Sequence, residues 1–528
     1  MDVHRWIVAG LFFLACVFTP ASQAGVSSAD PTISSPQTER VLAYGLHAIN
    51  DRYLTRVIIG NVAFEGMRGL GTIDPSVSVE RLPNRHVLLR YRDDRVADFS
   101  APGDNDVEGW ADLIVRAGRY AAAHSSALQS ANREKFYEAV FDAALSKLDI
   151  FSRYAGAREA AEHQAARNGF GGIGVRFELH PEDIHLTEVM PGTPAAEGHL
   201  AVGDHITAID GTPLAGLSQD TISQRLRGPV GSSIALSVVK KPSAPASQVT
   251  LKRSLIVPPT VSMTMKDGIA VIAISSFNSK TGASTAAELK KAKTGNALKG
   301  VILDLRGNPG GLLDQGVAVA DLFIAHGPIV SARGRHPDSV QAYEAQPGDP
   351  GEDVPVVVLV DGGTASAAEI VASALQDAGR AVLVGTNSYG KGTVQTVKAL
   401  PNKGELTLTW SRFHSPSGYA LHGLGVLPTI CTADEKASVA SLLAPLREGH
   451  SAVIANIAMW RASSIEDQDG RRQLRSVCPA AKQTDLTLDV EVGRDLLADH
   501  QLFAHTLALT ASQSTASTAS PHLPVKQH

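Results

Sequence analysis

The chain has 528 residues, of which 44% are apolar, 19% are charged and 5% are aromatic. This composition is typical of a folded protein with several domains, and it excludes a largely disordered chain or a coiled-coil rod. The 48 basic and 53 acidic residues give a formal net charge of −5, and three cysteines are present. Nucleic acid is therefore not an expected partner, and a disulfide scaffold or a paired CxxC zinc module is excluded.

The N-terminus has the pattern of a secretory signal peptide. Arg5 precedes an apolar run over residues 6–18, and Ala21-Ser22-Gln23-Ala24 has the small residues of a cleavage site. The apolar run is shorter than the roughly 20 residues that cross a bilayer. We therefore expect residues 1–24 to be a signal peptide and the mature protein to be exported to a bacterial periplasm. The alternative is an uncleaved segment that anchors the protein to the inner membrane.

Cys431 and Cys478 remain once Cys16 is assigned to the signal peptide. In an oxidising compartment such a pair predicts one disulfide. In the chain-entropy model the bridge would stabilise the fold by about 4 kcal/mol. The alternative is two buried free thiols.

The first half of the mature chain divides into two regions. Residues 38–164 are rich in alanine with apolar residues at helical spacing, interrupted by the strand-like segment 87–91. Over residues 170–257, short β-rich runs alternate with glycine and proline around one short helix, which predicts a compact β module.

The second half has a different periodicity. Over residues 258–437, apolar strands alternate with helical stretches, which predicts a parallel or mixed sheet with helical crossovers. Residues 438–509 predict a helical extension, and the Ser/Thr/Ala-rich residues 510–528 predict a disordered tail. The expected fold class is therefore multi-domain α+β or α/β.

The β module carries two glycine motifs. Gly171-Gly172-Ile173-Gly174-Val175 opens it, and Gly203-Asp204-His205-Ile206-Thr207-Ala208-Ile209-Asp210-Gly211 follows. It resembles a PDZ domain of the type found in bacterial proteases. The resemblance implies that a polypeptide C-terminus adds as a strand, with its carboxylate on the amides of Gly172, Ile173 and Gly174. The alternative for this loop is an ordinary tight turn. Arg227, in the turn after the predicted helix, is either a surface charge or a gating residue that couples peptide binding to the neighbouring domain.

Two segments after residue 350 suggest nucleophilic catalysis. Ser366 follows an apolar strand and Gly362-Gly363 at the start of a helix, although a lone serine there is usually an N-cap. Lys391 lies between two glycines before a β-type run, so Gln395 would share its face and could hydrogen-bond its amine. Burial without a carboxylate partner would lower the lysine pKa and make the neutral amine a base for the serine.

A third segment supplies exposed backbone amides. Asn308-Pro309-Gly310-Gly311 follows the predicted strand 301–305. Such a turn alone indicates only a change of direction. With Ser366 nearby, Gly310 or Gly311 together with Ala367 are the expected donors of an oxyanion hole.

Residues 140–430 resemble the carboxy-terminal processing peptidases, also called tail-specific proteases. The matching segments, in the family's order, are Leu148-Asp149-Ile150-Phe151-Ser152, the PDZ motifs, 304–311, 364–370, 390–395 and Ser415-Pro416-Ser417-Gly418. The resemblance implies Ser366 as nucleophile, Lys391 as general base and Gln395 as the residue that orients the lysine. It also implies a crotonase-like, or ClpP-like, peptidase core without a metal or organic cofactor.

Four positions depart from the family pattern. Thr364 stands in place of a usual serine, His414 in place of an aromatic residue, Tyr419 in place of Arg or Lys, and Thr429 in place of Asp. None of these positions belongs to the catalytic pair of Ser366 and Lys391, which we call the dyad. We therefore expect these differences to affect substrate preference rather than activity.

We therefore predict an exported serine endopeptidase that recognises the C-terminal tails of protein substrates through its PDZ domain and cleaves them through an acyl-enzyme. A homodimer through the N-terminal region and an adaptor protein are further candidate interactions. The alternative is a non-catalytic PDZ pseudoprotease or scaffold, which need not retain Ser366 and Lys391.

Two competing hypotheses have less support from the residues. A crotonase-fold acyl-CoA enzyme would share the core but would not need a PDZ domain. A Ser/His/Asp triad would use His414 or His422. The 18 histidines are scattered without an HExxH motif, so we expect no metal site.

Overall fold

The computed structural model describes residues 35–512 except 241–244, 296–297, 349, 352–353 and 483–486. The predicted signal peptide and the predicted tail from residue 513 onward lie outside the described residues. None of the helices in the described part of the chain combines the length and apolarity that crossing a bilayer requires.

The N-terminal region is helical around a three-stranded antiparallel sheet of order β1-β2-β3. Its elements are α1 (Pro36–Arg52), α2 (Ile59–Arg68), α3 (Leu70–Ile73), β1 (Val77–Leu82), β2 (His86–Tyr91), β3 (Asp94–Ser100), α4 (Val107–Ala122), α5 (Ser126–Ser130), α6 (Arg133–Leu145), β4 (Arg153–Ala155) and α7 (Ala157–Asn168). The sequence predicted only the strand at 87–91, which is β2. Strands β1 and β3 were missed because only part of each is buried, which leaves a weak hydrophobic signal.

The PDZ module is an antiparallel sheet of order β11-β10-β8-β7-β6, with β9 paired to β8. Its elements are β5 (Phe170–Gly172), β6 (Val175–Leu179), β7 (Ile184–Val189), α8 (Pro194–Glu197), β8 (His205–Ile209), β9 (Thr212–Pro213), α9 (Gln219–Leu226), β10 (Ser233–Val239), β11 (Ser247–Lys252) and β12 (Ser254–Ile256). The first and last strands of the module, β5 and β12, pair with each other. Strand β6 is at the edge of the sheet, where an added strand would find hydrogen-bonding groups.

The peptidase core contains two sheets. Its elements are β13 (Val261–Lys266), β14 (Ile269–Ile274), α10 (Thr281–Gly295), β15 (Gly300–Asp304), α11 (Leu313–Asp321), β16 (Pro328–Gly334), the 3₁₀ turn Pro337–Ser339, β17 (Gln341–Glu344), β18 (Val356–Val360), α12 (Ala367–Asp377), β19 (Ala381–Gly385), β20 (Thr393–Ala399), β21 (Glu405–His414) and β22 (Ile430–Cys431). One sheet has the order β13-β14-β15-β18-β19-β22 and is parallel apart from β13. The other has the order β17-β16-β21-β20, with β4 also paired to β21. The predicted mixed α+β architecture is confirmed.

The parallel order of the first sheet positions the candidate site. Strands β15 and β18 are neighbours, so their carboxyl ends lie at the same edge of the sheet. The turn 305–311 follows β15, and the turn that carries Ser366 follows β18. Two segments that are distant in sequence therefore meet at this edge.

The C-terminal extension completes the peptidase core. Its elements are α13 (Val439–Arg447), the 3₁₀ turn Ile454–Asn456, α14 (Ile457–Ala462), α15 (Gln468–Arg475), α16 (Thr487–Ala498) and α17 (His500–Ser512), which runs past residue 510, the predicted start of the tail. A Cβ added to Gly493 of α16 would lie 3.1 Å from the Ile302 side chain and 3.2 Å from that of Val357. Strand β18 is buried along its whole length, as a parallel strand covered by helices on both faces should be. One hydrophobic core therefore crosses the predicted boundary at residue 438.

The N-terminal region also shares its core with the peptidase. Leu400, Leu406 and Leu408, which belong to the hairpin of β20 and β21, are buried in the same cluster as the apolar residues of α1, α2, α4 and α6. The hairpin begins next to Lys391, so the N-terminal region supports the segment that carries the predicted base.

Candidate active site

One cavity of about 500 Å³ is lined by all the residues predicted for the catalytic site, namely Ser366, Lys391, Gln395, Gly310, Gly311 and Ala367. Residues of α7 and the preceding segment form another wall. A larger cavity of about 780 Å³, lined by Tyr44 and Arg335 among others, contains none of the predicted residues. We place the candidate site by its chemistry rather than by cavity size.

Ser366 lies at the turn between β18 and α12 in a conformation rare for a residue with a side chain. Its φ is +57° and its ψ is −119°. Such a backbone costs about 1–3 kcal/mol, and strained residues of this kind cluster at active sites. The adjacent helix N-terminus provides amides that are not used inside the helix.

Glu369 connects the serine turn to the lysine loop. Its Oε2 accepts hydrogen bonds from the backbone amides of Ser366 at 2.8 Å and Lys391 at 2.9 Å. Its Oε1 accepts from the Gly390 amide at 2.7 Å and from the Ser388 hydroxyl. The carboxyl is fully buried, and burial raises its pKa while these donors oppose the rise.

Glu369 is not among the site residues predicted from the sequence. The Ser-x-x-Glu spacing at a helix start is the signal that could have identified it. That spacing explains the bond to the Ser366 amide, but the contacts with Gly390 and Lys391 depend on the tertiary fold.

Lys391 is placed where a neutral amine is favoured. Burial lowers its pKa, the positive charge of Arg153 lowers it further, and the charge of Glu369 opposes the shift. Its Nζ lies 5.2 Å from the centre of the Phe151 ring. Among the described residues, no carboxylate forms an ion pair with the Lys391 amine. Arg153 was not predicted as a site residue, because it belongs to β4, which is far from Lys391 in the sequence. Phe151 belongs to segment 148–152, which is one of the segments that carry the family resemblance.

Gln395 lines the cavity, but its side chain makes different contacts from those predicted. Its Nε2 donates to Thr393 Oγ1 at 2.9 Å and to Thr409 Oγ1 at 3.4 Å. A bond to the Lys391 amine is not among its hydrogen bonds within the described part of the chain. Strand β20 begins at Thr393 and its register shifts at Gln395, so the alternation that would align Gln395 with Lys391 is interrupted. Its orienting role remains a prediction.

The three residues predicted to form the oxyanion hole differ in whether their backbone amides already donate a hydrogen bond. The Gly310 amide donates to Asn308 Oδ1 at 2.8 Å, so it is already used. A Cβ at Gly310 would lie 2.7 Å from Ser366 Cβ, which shows how closely this turn approaches the serine. Among the described residues, the amides of Gly311 and Ala367 have no hydrogen-bond partner. These two are therefore the better candidates.

Hydrogen bonds hold the two turns of the sheet edge together. The Ala365 amide donates to the Asn308 carbonyl at 2.9 Å. Thr364 Oγ1 donates to the Leu305 carbonyl at 2.9 Å, and Asp361 Oδ1 accepts from the Gly307 amide at 2.8 Å. Thr364 departs from the usual serine but supplies the hydroxyl that this contact needs.

The C-terminal extension forms hydrogen bonds with the loops that precede Ser366 and Lys391. Arg475 donates to the carbonyls of Leu424 at 2.5 Å and Ser388 at 3.2 Å. The Ala481 carbonyl accepts from the Gly362 amide at 2.8 Å. Cys478 forms a disulfide with Cys431, with an S–S distance of 2.02 Å. The sequence identified the cysteine pair as a disulfide candidate but not the loops that it supports.

The predicted carboxylate loop of the PDZ module borders a cavity of about 90 Å³, which is lined by Gly172, Ile173, Gly174 and Arg227 among others. Gly174 has a φ of +83°, and a Cβ there would lie 2.4 Å from the Thr193 side chain. Within the described residues, the amides of Ile173 and Gly174 have no hydrogen-bond partner. The Arg227 guanidinium lies 4.1 Å from the centre of the Phe170 ring.

The histidines of the alternative triad lie elsewhere. His414 and His422 do not line the catalytic cavity, and burial lowers the pKa of His414 to about 4. His163 does line the cavity, but its Nδ1 lies 3.0 Å from Glu405 Oε1. The geometry therefore favours Lys391 as the partner of Ser366.

The family model of peptidase family S41 matches residues 268–432, and that of the PDZ domain matches residues 163–239. The chain is 36% identical over 301 residues to a carboxy-terminal-processing protease of Bartonella bacilliformis, which covers 56% of this chain and 69% of that protein. It is 32% identical over 322 residues to a carboxyl-terminal-processing protease of Synechocystis, with 60% and 75% covered. A photosystem II D1 C-terminal processing protease structure is similar with 24% identity and a TM-score of 0.38, covering 74% of this chain and 92% of that one.

The two family models and the two sequence relatives confirm the predicted family and enzyme class, and the pseudoprotease and acyl-CoA enzyme alternatives lose their support. The chain belongs to the carboxy-terminal-processing proteases of peptidase family S41, serine peptidases that carry a PDZ domain.

Proposed function

We propose that the protein is an exported endopeptidase that binds the C-terminal tails of protein substrates and cleaves them by Ser–Lys acyl-enzyme chemistry. The observation that supports this most directly is the shared cavity. Ser366, Lys391 and the backbone amides of Gly311 and Ala367, which have no hydrogen-bond partner among the described residues, line it, and burial lowers the pKa of the lysine. These are the components that acyl transfer without histidine requires.

In the proposed reaction, the neutral Lys391 amine takes the proton of Ser366 as Oγ attacks the scissile carbonyl carbon. The amides of Gly311 and Ala367 stabilise the oxyanion that develops. The protonated amine then gives its proton to the departing amine of the substrate, which leaves an acyl ester on Ser366. Lys391 next takes a proton from a water molecule as that water attacks the acyl carbon of the ester. The protonated amine then gives this proton to the departing Ser366 Oγ, which releases the new C-terminus as a carboxylate and restores the hydroxyl and the neutral amine.

The PDZ module would bind the substrate tail. Strand β6 offers a sheet edge, and the unpaired amides of Ile173 and Gly174 lie at its start. Tail residues would pair with β6 while the terminal carboxylate accepts hydrogen bonds from these amides.

The dyad is tested by cleavage of an unfolded reporter with an apolar C-terminal tail. We expect Ser366→Ala and Lys391→Ala to lower kcat/KM by at least about a thousandfold. Ser373→Ala, on the same helix, and Lys436→Ala, at an exposed position, serve as controls that retain activity. Cleavage that survives in Lys391→Ala would contradict the mechanism. Tail binding by Ser366→Ala, measured in parallel, separates loss of chemistry from loss of recognition.

Helix α7 is a candidate link between the two sites. Ala166 of this helix lines the catalytic cavity, and it also lines a second cavity, of about 440 Å³, that Arg227 borders. We propose that a bound tail moves Arg227 from its position on Phe170 and that α7 transmits this change. Arg227→Ala should reduce the activation of cleavage by a tail peptide, whereas Arg225→Ala should not. Equal activation in both variants would leave Arg227 as a surface charge.

Export is proposed from the N-terminal pattern, and the disulfide of Cys431 and Cys478 suits an oxidising compartment. Cell fractionation with N-terminal sequencing should find a periplasmic protein that begins at Gly25. A membrane-bound protein that retains residues 1–24 would support the anchored alternative.

Homodimerisation through the N-terminal region is proposed from its exposed apolar residues, which include Tyr44, Ile58 and Tyr120. Sedimentation equilibrium should show a dimer that Ile58→Asp weakens. A monomer at every concentration would contradict this proposal.

A further inference from the structure

Three histidines and one aspartate lie together at one end of the PDZ sheet. His180 and Asp183 belong to the turn between β6 and β7, His185 to β7, and His205 to β8. His185 and His205 face each other across the ladder of β7 and β8. None of the four lines the catalytic cavity.

The contacts within this cluster are short. Asp183 Oδ1 lies 3.1 Å from His185 Nε2, and Asp183 Oδ2 lies 2.9 Å from His205 Nδ1. One ligand atom from each of these three residues lies within 4.8 Å of the others. The His185 ring lies 3.5 Å from that of His180 and 3.6 Å from that of His205, between centroids.

We propose that Asp183, His185 and His205 form a binding site for a divalent transition-metal ion such as Zn²⁺. Imidazole nitrogen and carboxylate oxygen are the ligands that zinc prefers besides thiolate. Ligands bonded at about 2.1 Å to a tetrahedral ion are about 3.4 Å apart, so small movements of these side chains would make room for the ion. Water or His180 would complete the coordination.

The surroundings of the cluster suit an ion that enters from solvent. The side chains of Asp183, His185 and His205 are 18%, 31% and 27% exposed, so the ligands are partly desolvated but reachable. The imidazole nitrogens and the carboxylate oxygen that would bind the ion all lie within 4.8 Å of one another.

A bound ion would connect three parts of the PDZ module: the turn after β6, strand β7 and strand β8. Strand β6 is the edge at which a substrate tail would add. The ion would thus stabilise the end of the tail-binding strand that is opposite the carboxylate loop. The site takes no part in the peptidase reaction.

The test measures Zn²⁺ binding to the mature full-length protein by isothermal titration calorimetry, with Co²⁺ absorption as a spectroscopic probe. We expect wild type to bind one ion at this site. His185→Asn and His205→Asn should weaken that binding by at least about tenfold and abolish the Co²⁺ bands. The control is His199→Asn, which changes an exposed histidine of the same module outside the cluster and should bind as wild type does.

Equal Zn²⁺ affinity in wild type and all three variants would overturn the proposal, as would a lack of binding by wild type. Circular dichroism and tail-peptide binding check that each variant remains folded. Asp183→Asn, which removes the shared carboxylate while retaining an amide oxygen, provides a second test where a histidine variant unfolds.

Discussion

Among the described residues, the catalytic cavity and the predicted carboxylate loop of the PDZ module each contain two backbone amides without a hydrogen-bond partner, and in the proposed function each pair holds a negative charge. They are built differently. The amides of Ile173 and Gly174 are neighbours in one glycine-rich segment, whereas those of Gly311 and Ala367 come from two turns that other segments hold together. Glu369, Thr364 and the C-terminal extension all contribute to that arrangement. A local site should therefore be damaged only by changes within it, and a composite site also by changes far from the reacting atoms.

The largest effect expected from a residue outside the dyad is that of Glu369→Gln. The side chain of a glutamine has an NH₂ group in place of one carboxylate oxygen. This group would face at least one of the backbone N–H groups that now donate to Glu369, so that hydrogen bond would be lost. We expect kcat to fall by about a hundredfold or more, by analogy with the removal of a preorganised donor, while tail binding is unchanged. Steady-state kinetics and peptide titration measure the two properties.

The matched control is Glu435→Gln, which makes the same chemical change at an exposed position. If Glu369→Gln retained full activity, the composite description of the catalytic site would be wrong.

Removal of the disulfide should act on the composite site from a distance. Cys431→Ser with Cys478→Ser should lower the free energy of unfolding by about 2–4 kcal/mol, because the unfolded chain is no longer cross-linked. Activity should fall as well, since the extension supports the loops that precede Ser366 and Lys391. Denaturant unfolding and cleavage assays, with and without reductant, measure both effects. Reductant should lower the stability and the activity of wild type and leave both properties of the double variant unchanged. A double variant that responds to reductant, beside a wild type that does not, would contradict this account.

A substitution in the local site should separate recognition from chemistry. Gly174→Ala places a Cβ against Thr193 at a φ of +83°, so we expect tail affinity to fall about tenfold. Gly203→Ala is the control, because its φ of +89° imposes a similar strain and no atom lies within 4 Å of the added Cβ. Cleavage of a short substrate without a tail should be equal in both variants. A loss of that cleavage in Gly174→Ala alone would show that the sites are not separable.

The smallest effect concerns the pH profile. In the proposed mechanism the neutral Lys391 amine accepts the serine proton, so kcat/KM should rise as the pH rises through the lowered pKa of that lysine. Arg153→Gln removes a positive charge that lowers this pKa, and it should move the rising limb to higher pH. Arg119→Gln, in α4, should not move it. A shift to lower pH in Arg153→Gln would contradict the assigned role of Arg153.

Much of the architecture follows from local patterns in the sequence. The apolar run Val354–Val360 predicted a strand, which the structure has at Val356–Val360, and the small residues that follow predicted the helix that begins directly after Ser366. The glycines at 310, 311 and 174 indicated turns, and in the structure all three have positive φ values, which disfavour a residue with a side chain. These features depend on neighbours in the chain, so they can be recognised without the fold.

The family, the order of its domains and the residue types at the candidate dyad can be recognised from the amino-acid sequence. Which atoms meet depends on the tertiary structure. It placed Arg153 near Lys391, directed the Glu369 carboxylate to both catalytic loops, shifted the register at Gln395 and joined the C-terminal helices to the peptidase core. It also brought His205 next to Asp183 and His185. Each of these depends on strand pairing and helix packing between residues far apart in the chain, which local periodicity does not encode.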